Sequence, residues 1–196
     1  MKRQVVLWML LSCGAATNCF GGLESIAQQS EEDLIQRACG PKETHFVVKM
    51  DKSASVSAVS NNPLLAHLIL LPETLGAIGG CRYLTTRVGL DGKWIGATCQ
   101  GGSFTADIAP GKHHLCVNLQ QRKGAEFIGL HGIEAEAGKT YYVLAEEFDG
   151  NAYQVNSLTV LRLLDEDEGR FLLSRKHSTT AEAAASDPSK NSKTTE

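Results

Sequence analysis

Along residues 83–148, apolar and polar side chains alternate in short runs that turn residues interrupt at near-regular spacing. Phe104, Ala106 and Ile108 alternate with Ser103, Thr105 and Asp107. Leu115, Val117 and Leu119 share one side of the next run, and His114, Cys116 and Asn118 share the other. A period of two puts successive side chains on opposite faces of a strand. The interruptions are Asp91-Gly92-Lys93, Pro110-Gly111-Lys112 and Ala137-Gly138-Lys139. Glycine and proline are the residues that tight turns select, one for positive φ and the other for a preset φ. The pattern predicts strands over 83–90, 93–99, 103–108, 113–119, 125–135 and 140–148, with Asp91-Gly92 as a hairpin turn.

The flanks are less regular. Residues 45–50 and 153–164 are predicted strands, and 51–63, rich in Ser and Asn, is a predicted loop. Residues 64–71 are a continuous apolar run around a lone His67, and periodicity cannot separate a buried strand from a helix there. Its length and the following Pro72 favour a strand that stops, leaving the Gly-rich 74–80 as a loop. Residues 28–38 suit a short helix with Ser30 as N-cap, halted by Cys39-Gly40-Pro41. The acidic residues 165–168 precede Phe171, Leu172 and Leu173 and suit the start of an amphipathic helix. Residues 176–196 are Ser, Thr, Ala and Lys with almost no bulky apolar side chain, which predicts a disordered polar tail. About eight strands with short turns imply an all-β, antiparallel β-sandwich or flattened barrel over residues 28–175.

The N-terminus changes the compartment. Met1-Lys2-Arg3 and the short apolar run from Val5 to Leu11 have the order of a secretory signal peptide over residues 1–27. The run is far shorter than the roughly 20 residues that span a bilayer. Ser25-Ile26-Ala27 favours cleavage before Gln28, while Leu10-Leu11-Ser12-Cys13 offers a lipobox in which Cys13 would be acylated. The expected location is the periplasm or cell envelope, with a membrane tether only if Cys13 carries lipid.

Six cysteines, less Cys13 and Cys19, leave Cys39, Cys81, Cys99 and Cys116. An even number in an exported chain implies disulfides, and four cysteines allow three connectivities. Cys81 and Cys99 flank a hairpin-like unit that suits a local bridge, which would leave Cys39 for Cys116.

Charge adds little. The net charge of −3 and the dispersed basic residues give no footprint for nucleic acid, and an aromatic fraction of 6% is low for a base-stacking surface.

Candidate chemistry is sparse. His114 and Cys116 share a strand face and are the best candidate metal ligands, suited to zinc or copper, but no third or fourth ligand can be named. Cys116 is better explained as a half-cystine with His114 packed beside it. His45, His67 and His131 are dispersed. Ser103 follows Gly101-Gly102 without a G-x-S-x-G elbow, so it reads as a turn hydroxyl. Residues 165–168 lack calcium-loop spacing. Trp94 and the exposed member of Tyr141-Tyr142 could line a partner patch, although core packing explains them as well. No motif asks for a cofactor.

The hairpin R-V-G-L-D-G-K-W-I-G-A-T, the turn P-G-K-H-H-L-C and the strand A-E-A-G-K-T-Y-Y carry a family resemblance. The chain resembles, over about residues 38–173, an uncharacterised bacterial domain family of signal-bearing envelope proteins and lipoproteins. That resemblance implies an immunoglobulin-like or peptidase-regulatory-like sandwich and export, and it brings no reaction. The stretch 64–80 departs from the family pattern, which leaves the strand register there open. The expected function is a non-enzymatic binding or structural module whose partner is an envelope protein or glycan. A metal-binding role through His114 and Cys116 is the alternative.

Overall fold

The computed structural model describes residues 33, 36–56, 62–75, 81, 84–120, 128–148 and 158–184. The signal-peptide reading, the sites at Cys13 and Ser25-Ile26-Ala27, and most of the predicted helix over 28–38 lie outside the described residues. The chain divides into two units, Met1–Ile35 and Gln36–Glu196, and the strands all belong to the second.

Among the described residues, a helical stretch at 36–39 is followed in order by ten strands and one further helix: β1 (Phe46–Ser55), β2 (Ala66–Leu75), β3 (Thr85–Leu90), β4 (Lys93–Cys99), β5 (Gly102–Ile108), β6 (Gly111–Leu119), β7 (Ile128–Ala135), β8 (Thr140–Phe148), β9 (Leu158–Leu164), α1 (Glu166–Leu173) and β10 (His177–Ala183). They form a six-stranded sheet, β1-β10-β5-β2-β8-β9, and a four-stranded sheet, β4-β3-β6-β7. The mostly β, two-sheet, sandwich-like architecture agrees with the sequence pattern.

The core between the sheets is built by alternation. Leu68 and Leu70 of β2, Ile108 of β5 and Val143 and Ala145 of β8 meet Val88 of β3, Leu115 and Val117 of β6 and Ile133 of β7. The other face of β2 and β8 is apolar too: Ile69, Leu71, Tyr142 and Leu144 pack beneath Leu172 and Leu173 of α1. A strand buried on both faces reads as a continuous apolar run, which explains why periodicity was silent over 64–71. Near the end of the inter-sheet core, Thr86 Oγ1 donates to the buried carboxylate of Glu147 at 3.0 Å and ties β3 to β8.

Several expectations need correction. The sheets are not antiparallel throughout: β2 pairs parallel with β8, and β10 pairs parallel with β5 over Gly102 and Ser103. Both parallel partners are far apart in sequence, so no hairpin constrains their direction. β1 extends to Ser55 into the predicted loop, because it pairs along β10. β2 runs through Pro72 to Leu75. Its ladder with β5 ends at Leu70, so beyond that point one edge of β2 is open and needs no amide hydrogen from proline. Residues 76–80 lie outside the described set. The tail reading is overturned over His177–Ala183, which forms β10 between β1 and β5. Its backbone completes two ladders that already exist, so it does not need a large apolar face of its own.

α1 begins where its acids are. Asp165 caps it, accepting from the Glu168 backbone N–H at 2.8 Å, and Arg162 grips Glu168 with two bonds of 2.9 and 3.0 Å. The helix sits so close to the sheet that a Cβ on Gly169 would lie 2.2 Å from Tyr142 Cγ and 2.6 Å from Tyr142 Cβ. In an open helix, Gly→Ala stabilises by about 1 kcal/mol. Here the sign reverses. Gly169→Ala is expected to cost about 1–3 kcal/mol in urea unfolding, since the stem of Tyr142 cannot step aside. Stability equal to or above wild type would show that α1 can lift freely from the sheet.

Candidate functional site

The structure keeps His114 and Cys116 two apart on β6 but gives them different surroundings. His114 is exposed on β6, whereas Cys116 is buried and bonded to Cys39, with Cα atoms 5.1 Å apart. A disulfide sulfur has no thiolate to offer a metal. Cys81 and Cys99 form the second bridge, Cα to Cα 4.9 Å. Among the described residues, no three His, Cys, Asp or Glu side chains gather into a metal-ligating group. Also among them, no helix is long and apolar enough to cross a membrane.

The Cys39–Cys116 bridge anchors a short segment across the outer face of the four-stranded sheet. Gly89, at an irregularity in the β3–β4 register, lets that segment approach: a Cβ there would stand 2.5 Å from Cys39 O. Arg87, on the same face, is buried and reaches into the segment. Its Nη1 donates to Thr44 O at 2.7 Å and Lys42 O at 3.2 Å, while Nε, at 3.0 Å, and Nη2 both donate to Asn118 Oδ1. The guanidinium lies 4.3 Å from the Trp94 ring centre, and Trp94 Nε1 donates to Pro41 O at 2.8 Å. Burial lowers the pKa of Arg87, though arginine stays charged. Trp94 is therefore a fastening of the fold. So is Tyr141, whose hydroxyl donates to Glu134 O and accepts from the Glu136 N–H, both at 2.9 Å. Tyr142 is buried under α1.

Two of the histidines are structural partners. His67, buried in β2, meets Asp107 of β5 at 2.7 Å in register, and His45 and His131 join no cluster. His113 is more informative. Its Nδ1 lies 2.6 Å from Asp91 Oδ2 and its Nε2 lies 2.7 Å from Ala109 O, so both ring nitrogens face acceptors. Asp91 also accepts from the His114 N–H at 2.8 Å. Asp91 and Gly92 both have positive φ, as a type I′ hairpin turn requires. The hydrogen bond to Asp91 raises the His113 pKa above 6.5, against desolvation. Burial pushes Asp91 upward, but the bonds from His113 and His114 and their charge bring it below 3.8.

The sign follows from linkage. The raised His113 contributes stability that is complete below pH 6.5 and is lost as pH rises through its folded value. The depressed Asp91 contributes stability present above pH 3.8 and lost as pH falls through its lower folded value. Raising pH from about 6 to about 9 is expected to cost on the order of 1 kcal/mol at most, since the exposed Asp91 is screened. Urea midpoints across that range should fall for wild type and stay flatter for His113→Gln. Parallel profiles would show that the pair is not linked to folding.

A concave site lies elsewhere, on the outer face of the six-stranded sheet where α1 gives way to β10. It is a cavity of about 320 Å³ lined by Glu73, Gln100, Gly101, Leu172, Arg175 and Lys176. The open edge of β2 beyond Leu70 creates it, and Lys176 fills that edge. The lysine side chain is only 5% exposed; its Nζ donates to Pro72 O at 2.9 Å and to Glu73 Oε1 at 2.5 Å. Lys176 N and Arg175 N cap carbonyls of α1, and His177 N takes Gly101 O to start β10. Arg175 is exposed, with its guanidinium 5.7 Å from the Phe171 ring centre. The sequence reading missed this site because it assigned Lys176 to a disordered tail. The one available signal was that Leu172 and Leu173 must dock, which starts the next residues beside the sheet.

Comparison with protein-family models gives no match to the chain, and comparison with curated proteins gives none.

Proposed function

We propose that this chain is an exported protein of the bacterial envelope whose sandwich serves as a non-enzymatic binding or structural module. The observation that carries the reading is the oxidised state of the core: two bridges, with Cys39, Cys99 and Cys116 fully buried. Such disulfides persist outside reducing compartments. The sandwich is of the immunoglobulin-like or peptidase-regulatory-like kind that the motif resemblance implies. The Tyr141 hydroxyl supports this, because it clamps the β7–β8 corner as a tyrosine corner does in immunoglobulin domains. The side chains with distinctive geometry, namely Arg87, Trp94, Tyr141 and the His113–Asp91 pair, each fasten one segment to another.

Intact-mass analysis of the protein from the envelope fraction tests the reading. The expected product starts at Gln28, or at an acylated Cys13, and carries two bridges that resist thiol alkylation. A full-length, reduced chain recovered from the cytosol would overturn export. Turnover of a substrate that one side-chain substitution abolishes would overturn the non-enzymatic part.

A further inference from the structure

We propose that the cavity at the α1–β10 junction is a binding site for a small oxyanion, a carboxylate or phosphate group, with Arg175 and Lys176 as its donors. The inference deepens the binding-module reading and rests on it.

The donor inventory carries the inference. The Arg175 guanidinium offers N–H groups and has no hydrogen bond or ion pair among the described residues; it lies against the Phe171 ring. An arginine held over an aromatic ring keeps its donor edge available and loses little freedom on binding. Lys176 has three ammonium hydrogens and two acceptors, Pro72 O and Glu73 Oε1. A third donor therefore remains on a side chain already desolvated at the cavity wall. Among the described residues, the only carboxylate in the lining is Glu73, and Lys176 already pairs with it. The lining thus carries two cations and one anion, a net excess of one positive charge.

The end of a helix would normally set carbonyl oxygens against an anion. Here those of Arg170, Leu172 and Leu173 accept from the N–H groups of Ser174, Arg175 and Lys176, so the chain reversal occupies them. Leu172 supplies an apolar wall for whatever bears the oxyanion. The volume suits a small molecule and not a macromolecular segment.

Titration calorimetry and amide-shift mapping on the full mature chain test the site, using inorganic phosphate and succinate as separate probes at constant ionic strength. Saturable binding of one or both in the millimolar range is expected, with shifts centred on Gly101, Arg175 and Lys176. Which probe binds more tightly distinguishes a tetrahedral from a planar oxyanion. Arg175→Gln should weaken binding at least about tenfold without moving the urea midpoint, and Arg175→Lys should recover part of it, since a point charge lacks the guanidinium fork. Binding of neither probe, or equal binding by Arg175→Gln, overturns the site. Either result leaves the exported sandwich standing, because mass and fractionation decide that reading.

Discussion

Replacing both Cys39 and Cys116 with alanine is expected to lower unfolding free energy by about 4 kcal/mol, the largest effect of any change considered. The bridge joins residues separated by 77 in sequence. Closing a loop of that length removes roughly 4.5 kcal/mol of chain entropy from the unfolded state. The Cys81–Cys99 bridge spans only 18, which corresponds to roughly 3 kcal/mol on the same scale. A domain of this size has on the order of 5–15 kcal/mol in total, so the long bridge decides whether the sandwich has an ample margin or a thin one. Urea unfolding of Cys39→Ala/Cys116→Ala against wild type gives the number. Alanine is preferable to serine at 116, where a hydroxyl would be buried without a designed partner. A loss under about 1 kcal/mol would mean that the unfolded chain is already restricted without the bridge.

Arg87→Met is expected to cost about 3 kcal/mol. Methionine fills similar volume, yet it takes away the donor shared by Thr44 O, Lys42 O and Asn118 Oδ1. Buried acceptors that lose a charged donor keep their desolvation penalty. Arg87→Lys should recover less than half, since an ammonium cannot reach three acceptors from one plane and stacks less well on Trp94. Urea unfolding followed by tryptophan fluorescence reads both variants. The bridge and Arg87 hold the same segment, so their combined loss should fall short of the sum of the two. Strict additivity, or an Arg87→Met midpoint equal to wild type, would show that the segment does not depend on this guanidinium.

The parts of the fold that local chemistry dictates were legible in the sequence. Asp91-Gly92 makes the hairpin it predicts, and Asp165 starts the helix that its acidic neighbours announce. Alternation in 103–108 and 113–119 places Phe104 and Ile108, and Leu115 and Val117, against the core. The pairing of Cys39 with Cys116 and of Cys81 with Cys99 is the one that the hairpin argument favours. What remained illegible depends on neighbours distant in sequence. Whether Pro72 ends β2 depends on where β5 stops, and Arg87 looks like a solvent-facing strand residue until residues 39–44 cover it. β10 has small polar side chains that reveal nothing, because the amide edges of β1 and β5 recruit it. The cavity inherits that blindness, since it exists only where β10 begins.

The parallel union of β2 with β8 reaches beyond static architecture. β2 sits in the middle of its sheet, yet its longest ladder, His67–Leu75, waits for residues 140–148 to be made. Contacts of such long range close late and fold slowly. On the proposed export route, β2 can pair with β5 as soon as residues 104–108 have crossed, but Leu71–Leu75 gain a strand neighbour only when residues 144–148 follow, so the sheet closes late in transit.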